Sequence, residues 1–154
     1  MTDRPNSRLC IFLKEGAEEA VRFYAATLPE THLDQVHPIG PGQAMVLWRC
    51  LGTPYMAMDG NERFEPRHDH SIAVNTLDQA ETDRLWEALT DGGVEGPCGW
   101  LQDRFGIHWQ IVPAEMTHML SDSNREAAAR AQAAMMGMKK IDIAALRRAF
   151  EGRA

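Results

Sequence analysis

No run of about 18 apolar residues occurs in this 154-residue chain, so no membrane-crossing helix is expected. The opening residues, Met1-Thr-Asp-Arg-Pro-Asn-Ser7, are polar and lack the apolar stretch of a signal peptide, so a cytoplasmic location is expected. Cysteine is scarce. Cys10, Cys50 and Cys98 are odd in number and far apart, with no CxxC pair, which reads as reduced thiols. Basic blocks are missing beyond Lys139-Lys140 and Arg147-Arg148, and the net charge is -6. That balance argues against a nucleic-acid footprint. What remains is ordinary for a soluble globular chain, with 44% hydrophobic and 25% charged residues. The length suits one domain, or two small halves sharing a core.

The element pattern supports the second option. Residues 8–13 form a short apolar run, a predicted strand. Ala17, Ala20, Val21, Tyr24 and Leu28 then recur at helical spacing, predicting a helix over 16–27 that Pro29 ends. Residues 31–39 read as a weak strand, with Gly40-Pro41-Gly42 as a turn. Residues 43–51 and 55–58 are strands separated by Gly52-Thr-Pro54. A strand over 70–75 restarts the order, and a helix over 78–90 follows, with Asp78 as N-cap and Glu81 at the capping-box position. Gly92-Gly93 stops that helix, and short strands run on to Val112. Strand–helix–strands thus occurs twice, offset by roughly 60 residues. After Pro113 the residues 114–120, 123–138 and 142–150 read as helices.

The stretch Cys98-Gly-Trp-Leu-Gln-Asp-Arg-Phe-Gly-Ile-His-Trp-Gln-Ile-Val-Pro113 is the most informative. Runs at 99–102 and 107–112 flank Asp103-Arg-Phe-Gly106, where Gly106 supplies the positive φ of a hairpin turn. Together with Ala17-Glu-Glu-Ala-Val-Arg-Phe-Tyr24, Gly52-Thr-Pro-Tyr-Met-Ala-Met-Asp-Gly60, Asp78-Gln-Ala-Glu-Thr-Asp-Arg-Leu-Trp86 and Met136-Gly-Met-Lys-Lys-Ile-Asp-Ile-Ala-Ala-Leu146, this hairpin resembles the PhnB-like family of the glyoxalase/bleomycin-resistance (vicinal oxygen chelate) superfamily. The likeness runs from about residue 9 to 150.

The resemblance implies an α+β fold of two βαβββ modules, residues 1–62 and 63–113, forming curved mixed sheets around a cavity as a single structural unit. A C-terminal helical extension, 114–154, follows. It also implies a homodimer with a small organic ligand, and no membrane partner. Some members carry a label as a demethylubiquinone methyltransferase, yet no Gly-rich loop after a strand offers to cradle S-adenosylmethionine. The wider superfamily binds a divalent metal on cavity-facing strands. Carried over, its ligand positions fall near Leu9, at Met56 or Met58, at Asp69 or His70, and at Gln110. Leucine cannot ligate and methionine prefers soft metals. No cofactor and no metal are therefore expected. If a metal does bind, His68, His70 and Gln110 are its ligands.

His68-Asp-His70 places two imidazoles on one strand face, which is ligand geometry; two histidines without a third ligand read more simply as a polar loop entering a strand. Gln110 points opposite to Trp109 and Ile111, either into a cavity or toward a buried backbone group. Trp48 and Trp100 lie on strands, where pocket and core both suit them, and Trp86 packs with Leu85 and Leu89. Cys10, Cys50 and Cys98 read as buried thiols. Met135, Met136 and Met138 pack the extension, or a partner subunit. The expected pocket gathers Trp48, Met58, Trp100 and Gln110, with Asp69 or His70 at its rim. Three functions fit: a metal-independent small-molecule pocket protein, a metal-dependent lyase or dioxygenase, and a non-catalytic drug-sequestering module.

Overall fold

A computed structural model describes residues 5, 7–60 and 70–153. The chain divides into two compact units, Met1–Arg67 and His68–Ala154. The expected module boundary at 62/63 falls outside the described residues.

The first unit runs β1 (Leu9–Leu13), α1 (Ala17–Thr27), β2 (His32–Gly40), β3 (Gln43–Cys50) and β4 (Thr53–Asp59). Its sheet has the order β1-β4-β3-β2, with β1 parallel to β4 and the other pairs antiparallel. The apolar spacing of α1 is satisfied in full: Ala17, Ala20, Val21, Tyr24 and Leu28 are all buried. No side chain of its own caps this helix, which starts after Gly16 at φ 80°. Asp59 does that work instead. Its carboxylate accepts from the Ala17 amide and from the Ala44 amide, each at 2.8 Å, and an anion there also complements the helix dipole.

Tyr24 of α1 stacks on Trp48 at 5.5 Å, which identifies the helix-covered face of the sheet. Val46, Trp48, Cys50 and Ala57 share it and are buried. Strand alternation puts Cys10, Phe12, Met45, Leu47, Met56 and Met58 on the opposite face.

The second unit repeats the order with β5 (Ile72–Thr76), α2 (Gln79–Thr90), β6 (Val94–Glu95), β7 (Trp100–Gln102) and β8 (His108–Pro113). The sheet order, β5-β8-β7-β6, matches the first unit strand for strand, again with one parallel pair. The predicted N-cap is present: Asp78 accepts from the Glu81 amide at 2.8 Å. Glu81 reaches one residue further back than a simple capping box, accepting from the Leu77 amide at 2.8 Å. Thr76 on β5 bonds Thr82 on α2 at 2.7 Å, so the face carrying Ile72, Val74, Leu101, Trp109 and Ile111 lies under the helix. Each large apolar side chain buried there contributes about 1.5–3 kcal/mol.

The extension forms α3 (Ala114–Leu120), α4 (Arg125–Met136) and α5 (Ile143–Phe150), and belongs to the second unit. Asp142 caps α5 as expected, accepting from the Ala145 amide at 2.8 Å. The extension has its own core of Met116, Met119, Ala131, Ile141 and Leu146, onto which Met135 and Met138 pack. Met136 stays outside that core and is 64% exposed. The described residues thus form two four-stranded mixed sheets and five helices, with no closed barrel, which is the α+β class expected.

Candidate functional site

The closing hairpin builds the site. Asp103 shapes its turn, accepting from the amides of Phe105 and Ile107 and from the Trp109 indole at 2.7 Å. Gly106, at φ 86°, completes the turn. With Trp109 anchored under α2, alternation sends His108 and Gln110 to the uncovered face. The register pairs Trp100 with Gln110 and Gln102 with His108, so all four share that face. Trp100 is 40% exposed, whereas Trp48, Trp86 and Trp109 are buried.

A second turn precedes β7. The Gly96 amide donates to the Trp100 carbonyl at 2.8 Å, and the Trp100 amide donates to Pro97 at 3.0 Å. Cys98 is held at φ 57° and Gly99 at φ 83°. Gly99 cannot be replaced without movement, because a Cβ there would lie 2.7 Å from the Ile111 carbonyl oxygen. The extension grips this turn from outside: the amides of Cys98 and Gly99 donate to the carbonyls of Met138 and Lys139 at 2.8 and 2.7 Å. Between the turn and the hairpin lies a cavity of about 410 Å³, walled by Val94 to Cys98, Trp100 to Gln102 and His108.

The carboxylate bordering this cavity is turned toward α2 and paired with a lysine. Glu95 opposes Leu101, so its side chain lies on the face under α2; among the described residues no lysine or arginine contributes to the wall. The Glu95 carboxylate accepts from the Trp86 indole at 2.9 Å and from Lys139 at 3.3 Å. The Trp86 bond first, then Lys139, hold its carboxyl below the usual glutamate range.

The expected pocket residues separate. Trp100 borders the cavity. Gln110 shares its face and opposes Trp100, but its amide donates to Ser71 Oγ at 2.8 Å and it is not part of the wall. Trp48 is a correction: it lies under α1 with Tyr24, on the opposite face from Met58, so these two cannot line one cavity. His70 is exposed just before β5. His68 and Asp69 lie outside the described residues. Cys98 is also a correction, because it is half-buried in the cavity wall rather than in the core, and Cys10 is half-buried on the uncovered face of the first sheet. Only Cys50 is a core thiol; burial pushes its pKa up to about 12, against a smaller lowering by Thr31. Glu95, Gln102 and His108 were not anticipated. The signal for His108 was present, since it sits two residues from Gln110 and must share its face.

A divalent metal finds a poor donor set in these residues. Met56 and Met58 offer only thioethers, Leu9 offers nothing, and the Gln110 amide is engaged by Ser71. Among the described residues, no group of three His, Cys, Asp or Glu side chains is placed to hold an ion.

Two copies of one strand–helix–three-strand unit, each with a helix on one sheet face, define the two-module glyoxalase-like class. Residues 6–112 match the family described as 3-demethylubiquinone-9 3-methyltransferase, and the chain belongs to that family. Its fold is that of a putative 3-demethylubiquinone-9 3-methyltransferase, PhnB protein, from Bacillus cereus, at TM-score 0.63 and 22% identity over 71% of this chain and 100% of that one. A protein of Pseudomonas aeruginosa is similar at TM-score 0.59 and 20% identity, over 71% of this chain and 98% of the other. The fosfomycin resistance protein FosX of Listeria monocytogenes, crystallised with Mn(II) and sulfate, shares the fold at TM-score 0.52 and 14% identity, over 72% and 92%. No curated protein sequence matches the chain.

Proposed function

We propose that this chain binds a small organic molecule on the uncovered face of its second sheet, and does so without a metal. The observation that carries this reading is the cavity beside an exposed tryptophan, with Gln102 and His108 offering polar contacts in an otherwise apolar wall. The methyl transfer named in the family description needs S-adenosylmethionine. The β5–α2 turn, Leu77-Asp78, has no glycine to admit such a cofactor, and Asp78 already occupies the helix N-terminus. The Mn(II) of the FosX relative favours a metal-dependent reading, but the donor positions here oppose it.

The protein acts in the cytoplasm as a homodimer. Exposed Leu9, Phe12 and Met136 supply apolar surface for self-association. Native mass spectrometry of untagged protein tests the whole reading. The expected result is a dimer carrying an organic adduct, with no Zn, Mn, Ni or Fe by elemental analysis, and loss of the adduct in Trp100→Ala. About one metal equivalent per chain, lost in His70→Ala, would overturn it.

A further inference from the structure

We infer that the cavity selects neutral, flat, largely apolar molecules and rejects anions; this rests on the ligand-binding reading above. Three observations combine. The volume of about 410 Å³ suits a molecule of one or two rings. Trp100, 40% exposed on the wall, offers a broad π-face for stacking, flanked by Val94 and Cys98. The polar contacts are limited to Gln102 and His108, which pair across β7 and β8 and point to the same side.

Charge decides between ligand classes. An anion entering this cavity sheds its hydration against the Trp100 face and a largely apolar wall. Among the described residues, no lysine or arginine lines the cavity to offset that loss. Lys139, outside the wall, is engaged by Glu95. A neutral ring is spared that cost. It gains burial against Val94 and stacking on Trp100, while one hydroxyl or carbonyl group meets Gln102 or His108.

The test uses two probes with one ring system, naphthalene-2-methanol and naphthalene-2-phosphonate, titrated calorimetrically into the full-length protein. The alcohol is expected to bind, and the phosphonate to bind about tenfold more weakly or less. Trp100→Ala should weaken the alcohol by about tenfold. Val94→Arg, which adds a cation at the wall, should tighten the phosphonate relative to the alcohol. Equal or tighter binding of the phosphonate to the unmodified protein, still sensitive to Trp100→Ala, would overturn the selectivity while the cavity remained a binding site. Binding of neither probe, or binding indifferent to both Trp100→Ala and Val94→Arg, would sink the ligand-binding reading itself.

Discussion

Asp103 shows how one side chain can hold a site without touching a ligand. It is 3% exposed and accepts three hydrogen bonds, one of them from the buried Trp109 indole. Asp103→Ala leaves that indole and two amides without their acceptor, so a loss of about 2–4 kcal/mol in urea unfolding is expected. An unchanged midpoint would show that water replaces the carboxylate. The cysteines make a second test, because the fold sorts them by access. Cys50 is buried with its thiol pushed up to about 12, and burial raises Cys10 as well. A maleimide applied to native protein at neutral pH should therefore spare Cys50, and label Cys98 in the cavity wall. Peptide mapping that finds Cys50 modified ahead of Cys98 would contradict the placement of both. Occupancy of the cavity by naphthalene-2-methanol should slow labelling of Cys98.

Among the elements, those governed by neighbours in sequence were the legible ones. Asp78 and Asp142 cap their helices because a cap needs only the amide three residues on. The face shared by Trp100 and Gln110 follows from alternation within one hairpin, whose register the Asp103–Gly106 turn sets. Trp48 failed for the opposite reason. Its face relative to Met58 depends on the β3–β4 register, Trp48 against Tyr55 and Met45 against Met58, and nothing local announces that pairing. The cavity was hidden too, because backbone makes much of its wall: a turn with Cys98 in the left-handed region, braced by Met138 and Lys139 from about forty residues away. Gln79 ties the same extension to α2. Its amide donates to the Ile141 carbonyl at 3.0 Å, and its oxygen accepts from the Ile143 amide at 2.8 Å. Gln79→Ala should cost about 1–3 kcal/mol and speed amide exchange over residues 141–146, leaving β3 and β4 unaffected. Uniform loss of protection across both units would argue against a local tether.

In the molecule as a whole, the extension that braces the cavity is itself held by charge. Lys140 pairs with Asp83 at 2.7 Å, Arg147 with Glu115 at 2.7 Å, and Lys139 with Glu95 at 3.3 Å. Each cation belongs to the extension, and each carboxyl is held below its ordinary range. The causes are the Lys140 hydrogen bond on Asp83, the Arg147 bond on Glu115, and the Trp86 bond followed by Lys139 on Glu95. The sign follows from linkage. A carboxyl with a depressed folded value binds fewer protons folded than unfolded, so its contribution is complete above the unfolded value. It is lost as pH falls through the folded one. Exposed pairs are individually weak and screened by salt, so the effect appears as a loosening of the extension rather than collapse of the sheets. Hydrogen exchange followed from neutral pH down to about pH 3 should therefore show residues 137–150 losing protection before β3, β4 or β8. Molar salt at neutral pH should reproduce part of that loss. Because the amides of Cys98 and Gly99 depend on Met138 and Lys139, affinity for naphthalene-2-methanol should fall over the same acid range. Glu115→Gln should shift the onset of loosening to higher pH. If the sheets open first, or the onset ignores both salt and Glu115→Gln, the apolar core around Ile141 and Leu146 holds the extension and the ion pairs do not.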